Sequence, residues 1–186
     1  KLESTGPLLI THWGLSGPGI LRLSAWGARE LAACDYRFPL CVKWLPGTDV
    51  DVELKRIRDN SGKRQVGARS PFPTIPKRLW ARLVDTAGIA IEHPWARLTK
   101  AERAALTEQL TRAVFAVDGK SMNKEEFVTC GGVRLRDIDL TTMQSKLCPG
   151  LYFAGEVIDV DGITGGFNFQ NAWTSGHLAG TAIANL

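Results

Sequence analysis

No stretch of the 186 residues is long and apolar enough to span a membrane; charges or glycines break each hydrophobic run well short of the about eighteen residues required. The opening KLESTGPLL lacks the charged, apolar and small-residue zones of a secretory leader, so a cytoplasmic protein is the simplest expectation. Cys34, Cys41, Cys130 and Cys148 form no CxxC pair, and His12, His93 and His177 are scattered. That pattern offers no metal-ligand spacing and predicts buried, reduced thiols rather than a disulfide scaffold. There is no internal repeat and no low-complexity tract, and no Lys or Arg follows Lys146. What remains is an ordinary soluble composition, 44% hydrophobic with a formal charge of +4, long enough for one domain or two small ones.

The positive charge is concentrated. Between residues 53 and 82 stand Lys55, Arg56, Arg58, Lys63, Arg64, Arg69, Lys77, Arg78 and Arg82 against Glu53 and Asp59. Such a block meets phosphates or nucleic acid in some proteins, but a solvated surface is the commoner reason for one. Neither an RNA-binding motif nor interleaved exposed aromatics are evident beside it, so nucleic acid is not the partner expected from sequence. A non-catalytic basic module is the rival reading from another functional class.

Along the chain, LLITHWG predicts a short strand. Ser16-Gly17-Pro18 then supplies a cap and a first-turn proline for a helix over about 18–33. YRFPLCVKWLPG predicts a strand closed by the Pro46-Gly47 turn, 48–60 a charged helix, and 61–76, with its three prolines, a connecting loop. A helix over 77–86 precedes a second one opened by the capping box Thr99-x-x-Glu102. On that second helix Leu106, Leu110, Ala113 and Val114 continue one face. EEFVTCGGV predicts a strand running into a double glycine, and LCPGLYFAGEVIDVDG a turn, a buried strand over Leu151–Ala154 and a second turn. A helix from about Asn168 to Ala184 ends the sequence, with Ala172, Gly176 and Gly180 as a narrow stripe suited to lying against a sheet.

Residues 151–180 concentrate the chemistry. Gly155-Glu156 places a carboxylate at the end of the predicted strand, where α/β sheets hold ligands. There it can accept charge-assisted hydrogen bonds from sugar or ribityl hydroxyls. Gly165-Gly166 follows directly before a helix; glycine lets backbone approach a ligand, and a helix's first amides favour an electron-rich oxygen. Asp159 and Asp161 share the loop, as cofactor contacts or as turn-fixing acids. Thr129, Gly131 and Gly132 form a further candidate approach, with a β-bulge as the structural alternative. His12 and Ser16 are the polar residues of the first block, Ser16 chiefly as a helix cap. No general acid or base stands out.

Four blocks, THWGLSGPGIL (11–21), VTCGGV (128–133), DIDLTTMQSKLCPGLYFAGEVIDVDG (137–162) and GGFNFQNAWTSGHLAG (165–180), resemble the BaiN/YhiN-like, aminoacetone oxidase-like, NAD(P)/FAD-dependent flavoproteins. The resemblance is weak over about 42–72. It implies a mixed α/β chain that completes a Rossmann-like FAD domain, plus an inserted domain with a β-barrel-like part and a small helical bundle. On that pattern 1–118 is insert, with 1–72 its barrel-like part and 73–118 its helical module, and 119–186 returns to the FAD domain. The family's amino-terminal GxGxxG unit is missing: Gly14, Gly17 and Gly19 give GxxGxG before an insert helix instead. The resemblance therefore implies a carboxy-terminal fragment that alone holds FAD weakly, its partner being the amino-terminal part of the FAD domain. It assigns Gly155 and Glu156 to the ribityl chain and Gly166, Phe167 and Asn168 to the helix start beneath the flavin. NAD(P)H is the implied co-substrate and a small organic molecule the implied substrate.

Overall fold

The computed structural model describes residues 1–120, 129–163 and 165–186. These form two compact units, one of residues 38–118 and one joining residues 1–37 to 119–186.

In the 38–118 unit, each helix has a local reason to start. α3 (Val50–Asn60) begins where Asp49 accepts from the Val52 amide at 3.2 Å, carries Asp51 and Glu53 in its first turn, and buries Val50, Leu54 and Ile57 on one stripe. α4 (Lys77–Thr86) follows Pro76 and buries Trp80, Leu83 and Val84. Gly88, at φ +75, stands just beyond its end, where a left-handed residue releases the chain. α5 (Lys100–Thr111) opens on a complete capping box: Thr99 accepts from the Glu102 amide at 3.2 Å and Glu102 accepts from the Thr99 amide at 2.8 Å. The bonds that the Glu102 carboxylate accepts from the Thr99 amide and hydroxyl hold it below its ordinary range.

Between the helices, residues 62–67 run beside 91–96, with Val66 donating to His93 and Trp95 donating to Arg64. Trp80 is fully buried, stacks on Trp95 and donates from Nε1 to the Val66 carbonyl at 2.7 Å, so its one polar atom is satisfied inside the core. Arg103 fixes α5 to α3 through Asp51 at 2.8 Å. α5 ends at Thr111. Ala113 and Val114, expected on its face, belong instead to strand β4 (Ala113–Asp118), which pairs with β3 (Arg37–Val42).

The other unit is sparser. β1 (Leu9–Ile10) and β2 (Leu15–Ser16) form a short antiparallel hairpin. The single helix expected over 18–33 is two, α1 (Pro18–Trp26) and α2 (Ala28–Ala33), broken at Gly27. A side chain at Gly27 would stand 2.3 Å from Leu2. The residue capping α1 is Gly17, at φ +93, without a side-chain bond, so Ser16 is not the cap. β5 (Ile138–Asp139) and β6 (Gln144–Ser145) form a second antiparallel hairpin, and α6 (Phe167–Ala184) ends the chain.

Two further expectations change here, and a third falls partly outside the described residues. The described residues form three separate two-stranded sheets, with no closed barrel. Leu151–Ala154 is not a buried strand: Tyr152 makes an isolated bridge to Gln144, flanked by bonds from Ser145 to the Leu151 carbonyl at 2.7 Å and from Phe153 to the Met143 carbonyl at 3.0 Å, and Leu151 and Ala154 are exposed. Of the predicted EEFVTCGGV strand, residues 125–128 lie outside the described residues, and Val133 makes one parallel bridge to Ile158.

Candidate functional site

The site is assembled within the 1–37 and 119–186 unit by backbone pairing of two loops. Val133 donates to the Val157 carbonyl at 2.8 Å and Asp159 donates to the Val133 carbonyl at 2.9 Å. Gly132, at φ +147, makes this approach possible: a Cβ there would stand 2.5 Å from the Val157 oxygen. Residues 155–157 form one 3₁₀ turn, putting Gly155 and Glu156 on a turn instead of at a strand end. The Glu156 carboxylate accepts from the Thr129 amide at 3.2 Å, which brings the two candidate segments together.

α6 is tied to this turn by two side chains. Gly155 donates to Ser175 Oγ at 2.9 Å, and Ser175 Oγ donates to the Asn171 carbonyl at 2.6 Å. Ser175 is buried, and sequence reading passes over it because a serine inside a helix carries no signal of what it will meet. Asn168 uses both ends of its amide on Gly162, accepting from its NH at 2.7 Å and donating to its carbonyl at 3.0 Å. Its role is to hold the 155–162 loop to the helix start. Gly166, at φ +92, opens α6 with no side-chain cap, and a Cβ there would meet nothing within 4 Å. The first-turn amides of a helix lack intrahelical acceptors, so this end is an open set of donors. Gly165, Gly166 and Phe167 are all exposed there.

Asp159 pairs with Arg29 of α2 at 2.6 Å, a contact across 130 positions that no local pattern announces. Asp159 raises the Arg29 guanidinium above its ordinary range, with further contributions from Cys130 and Asp161. The Cys130 thiol is pushed up by burial and then by the charge and hydrogen bond of Asp161; Arg29 opposes this. Gly131 is half-buried, at φ +115, beside it. His12 and Ser16 do not join the site: they lie in the β1–β2 hairpin, His12 exposed with its ring 4.1 Å from that of Trp13.

The helix face differs from the one expected. Ser175 and Ala179 are the buried positions of α6, while Gly176 and Gly180 face open space, where an added Cβ would meet nothing within 4 Å. A recess of about 250 Å³ is lined by residues of both α6 and the segments before it, among them Met143, Ile158, Asn171 and Leu178. The cysteines also differ: none is bonded to another, but Cys34, Cys41 and Cys148 are exposed and Cys130 half-buried. The elements carrying them are too thinly covered to hide them.

Residues 61–182, about two thirds of the chain, match the family model described as HI0933-like protein Rossmann domain. The chain belongs to that family. This agrees with the BaiN/YhiN-like resemblance, and three curated relatives place the HI0933-like chain further. It is 30% identical over 184 residues to a 3-dehydro-bile acid delta(4,6)-reductase of Clostridium scindens, covering 98% of this chain and 45% of the relative. It is 35% identical over 169 residues to a ribosomal RNA dihydrouridine synthase of Escherichia coli, covering 90% and 40%. A protein of the same name from Haemophilus influenzae is 32% identical over 178 residues, covering 95% and 42%. The chain thus spans less than half the length of these relatives. No helix among its described residues is long and apolar enough to cross a membrane.

Proposed function

We propose that this chain supplies the flavin-ring side of the FAD site of an oxidoreductase, in which hydride passes between NAD(P)H, FAD and an organic substrate, in the reducing direction of the reductase-named relative. The observation that carries the reading is the uncapped start of α6 at Gly166, held beside the Glu156 turn by Asn168 and Ser175. The donor set fits the group: open helix amides suit the electron-rich pyrimidine edge of a flavin, and an exposed carboxylate suits ribityl hydroxyls. FAD would supply the reversible acceptance of hydride.

The chain's own residues bind and orient. Amides of Phe167 and Asn168 stabilise negative charge at the ring edge, Glu156 accepts from a ribityl hydroxyl, and Gly131, Gly132 and Gly165 keep side chains out of the approach. Asp159 and Asp161 set the loop, Asp159 through Arg29. Thr129 donates to Glu156 and so orients its carboxylate. The adenosine end is left to the amino-terminal segment of the longer protein, and the reaction belongs in the cytoplasm.

In the full-length protein, Glu156→Ala should weaken FAD by about 1.5–3 kcal/mol, the worth of a hydrogen bond to a charged group. That is on the order of tenfold to a hundredfold in affinity. Flavin absorbance after gel filtration and titration of the apoprotein measure it. A parent protein that purifies colourless and takes up no FAD overturns the reading; a variant that binds as tightly as the parent removes Glu156 from it.

A further inference from the structure

The loop over 155–162, GEVIDVDG, carries three carboxylates, Glu156, Asp159 and Asp161, and no Lys or Arg. These are the only Asp or Glu in residues 147–186, which hold no Lys or Arg at all. The loop is pinned at three points. Ser175 accepts from Gly155 at one end and Asn168 clasps Gly162 at the other, both from α6. The middle is held by other segments: the Asp159 amide donates to the Val133 carbonyl, and the Asp159 carboxylate meets the Arg29 guanidinium of α2 at 2.6 Å. The Asp159 side chain is 24% exposed against 65% for Arg29, so the acid is the sheltered half of the pair. Asp159, then Cys130, and more weakly Asp161 raise the Arg29 guanidinium, so its charge reaches a second acid of the loop. Arg134 and Arg136, which follow Val133 in the chain, are drawn instead to Asp137. Among the described residues, Arg29 is the one cation ion-paired with this loop.

We infer that Arg29 sets the reduction potential of the bound flavin, offsetting the charge of the 155–162 loop through its pair with Asp159. The inference rests on the flavin-site reading and adds a positioning residue to it, one that acts through Asp159. Hydride transfer oxidises the nicotinamide and brings two electrons and one proton to the flavin, so the ring gains one negative charge. Carboxylates nearby oppose that gain and favour the oxidised ring; charge beside the ring is one of the few means by which a protein tunes this cofactor. With Arg29 in place the loop and its partner carry a formal −2, without it −3. The open amides at the start of α6 favour the reduced ring, and Arg29 is the side chain that works in the same sense. Its removal therefore lowers the potential and makes the flavin harder for NAD(P)H to reduce.

The test measures the midpoint potential of the flavin bound to the full-length protein, against a reference dye. Arg29→Gln should lower the ratio of reduced to oxidised affinity by about three- to tenfold, a fall of about 15–30 mV for a two-electron couple. Asp159→Asn should raise the potential by a similar amount, the two changes together should return it close to the parent value, and Arg29→Lys should preserve it. The opposite signs are decisive. Both single substitutions break the same ion pair, so a purely structural tether would move the potential the same way in each. In the 186-residue chain without flavin, both should speed hydrogen exchange at the Asp159 amide, which monitors the tether by itself. Should Arg29→Gln fail to fold, as circular dichroism would show, the sign of the Asp159→Asn shift decides alone. An unchanged potential in folded Arg29→Gln, an unchanged or lowered one in Asp159→Asn, or a loss in Arg29→Lys equal to that in Arg29→Gln overturns the inference and leaves the flavin reading standing. A full-length parent that takes up no FAD overturns both.

Discussion

The 38–118 unit is finished in a way the other is not. Fourteen buried hydrophobic residues form its continuous core, from Val50 on α3 to Leu110 on α5, whereas the larger unit gathers four among its described residues, Ile138, Met143, Ile158 and Ala179. The larger unit instead leaves Trp13, Trp26, Phe167, Phe169 and Trp173 more than half exposed. One is held by apolar burial, proportional to area; the other hangs on a few polar contacts between loops and one helix. In the second kind of structure single hydrogen bonds matter more than single methyl groups.

The sharpest way to press that contrast is Trp80→Ala. Loss of a fully buried indole should destabilise the 38–118 unit by about 3–5 kcal/mol, read as a lower urea midpoint for its hydrogen-exchange-protected amides. Amides at 155–178 should exchange as before; if both units lose protection together, they unfold as one and the comparison fails. Next comes Ser175→Ala, which strips the Gly155 amide of its acceptor. A loss of about 1–3 kcal/mol is expected for an unsatisfied donor, confined to the site loop and visible as faster exchange at Gly155. Smallest is Gly176→Leu. With nothing near its Cβ position, the change should move stability by no more than about 0.5 kcal/mol, in urea titrations of the whole chain. A loss of several times that would mean that the stripe is covered after all.

How much could be read beforehand follows from range in sequence. The Thr99-Glu102 box, α4 over Lys77–Thr86 and the turn at Pro46-Gly47 are written in adjacent residues, and they stand as expected. So does the helix that starts directly after Gly165-Gly166. What pattern missed depends on distant partners. Leu151–Ala154 has the composition of a strand, yet its pairing stops at the single bridge from Tyr152 to Gln144. The α6 stripe at Ala172, Gly176 and Gly180 marks a face that close packing would suit, yet Ser175 and Ala179 make the contacts. Arg29 meets Asp159 across 130 positions through α2, and Gly17 displaces Ser16 as cap because only glycine tolerates φ +93 so readily.

The paired hydrogen bonds of Asn168 carry a consequence for chemical ageing. A planar amide presents one donor and one acceptor side by side, the complement of the NH and carbonyl that Gly162 offers. A carboxylate of the same shape presents acceptors alone. Hydrolysis of that amide to aspartate would keep the bond from the Gly162 NH and set a negative oxygen against its carbonyl, turning half of a clamp into repulsion. The grip on the loop is thus perishable: it ends with the slow loss of ammonia from one side chain, with no change in the rest of the sequence.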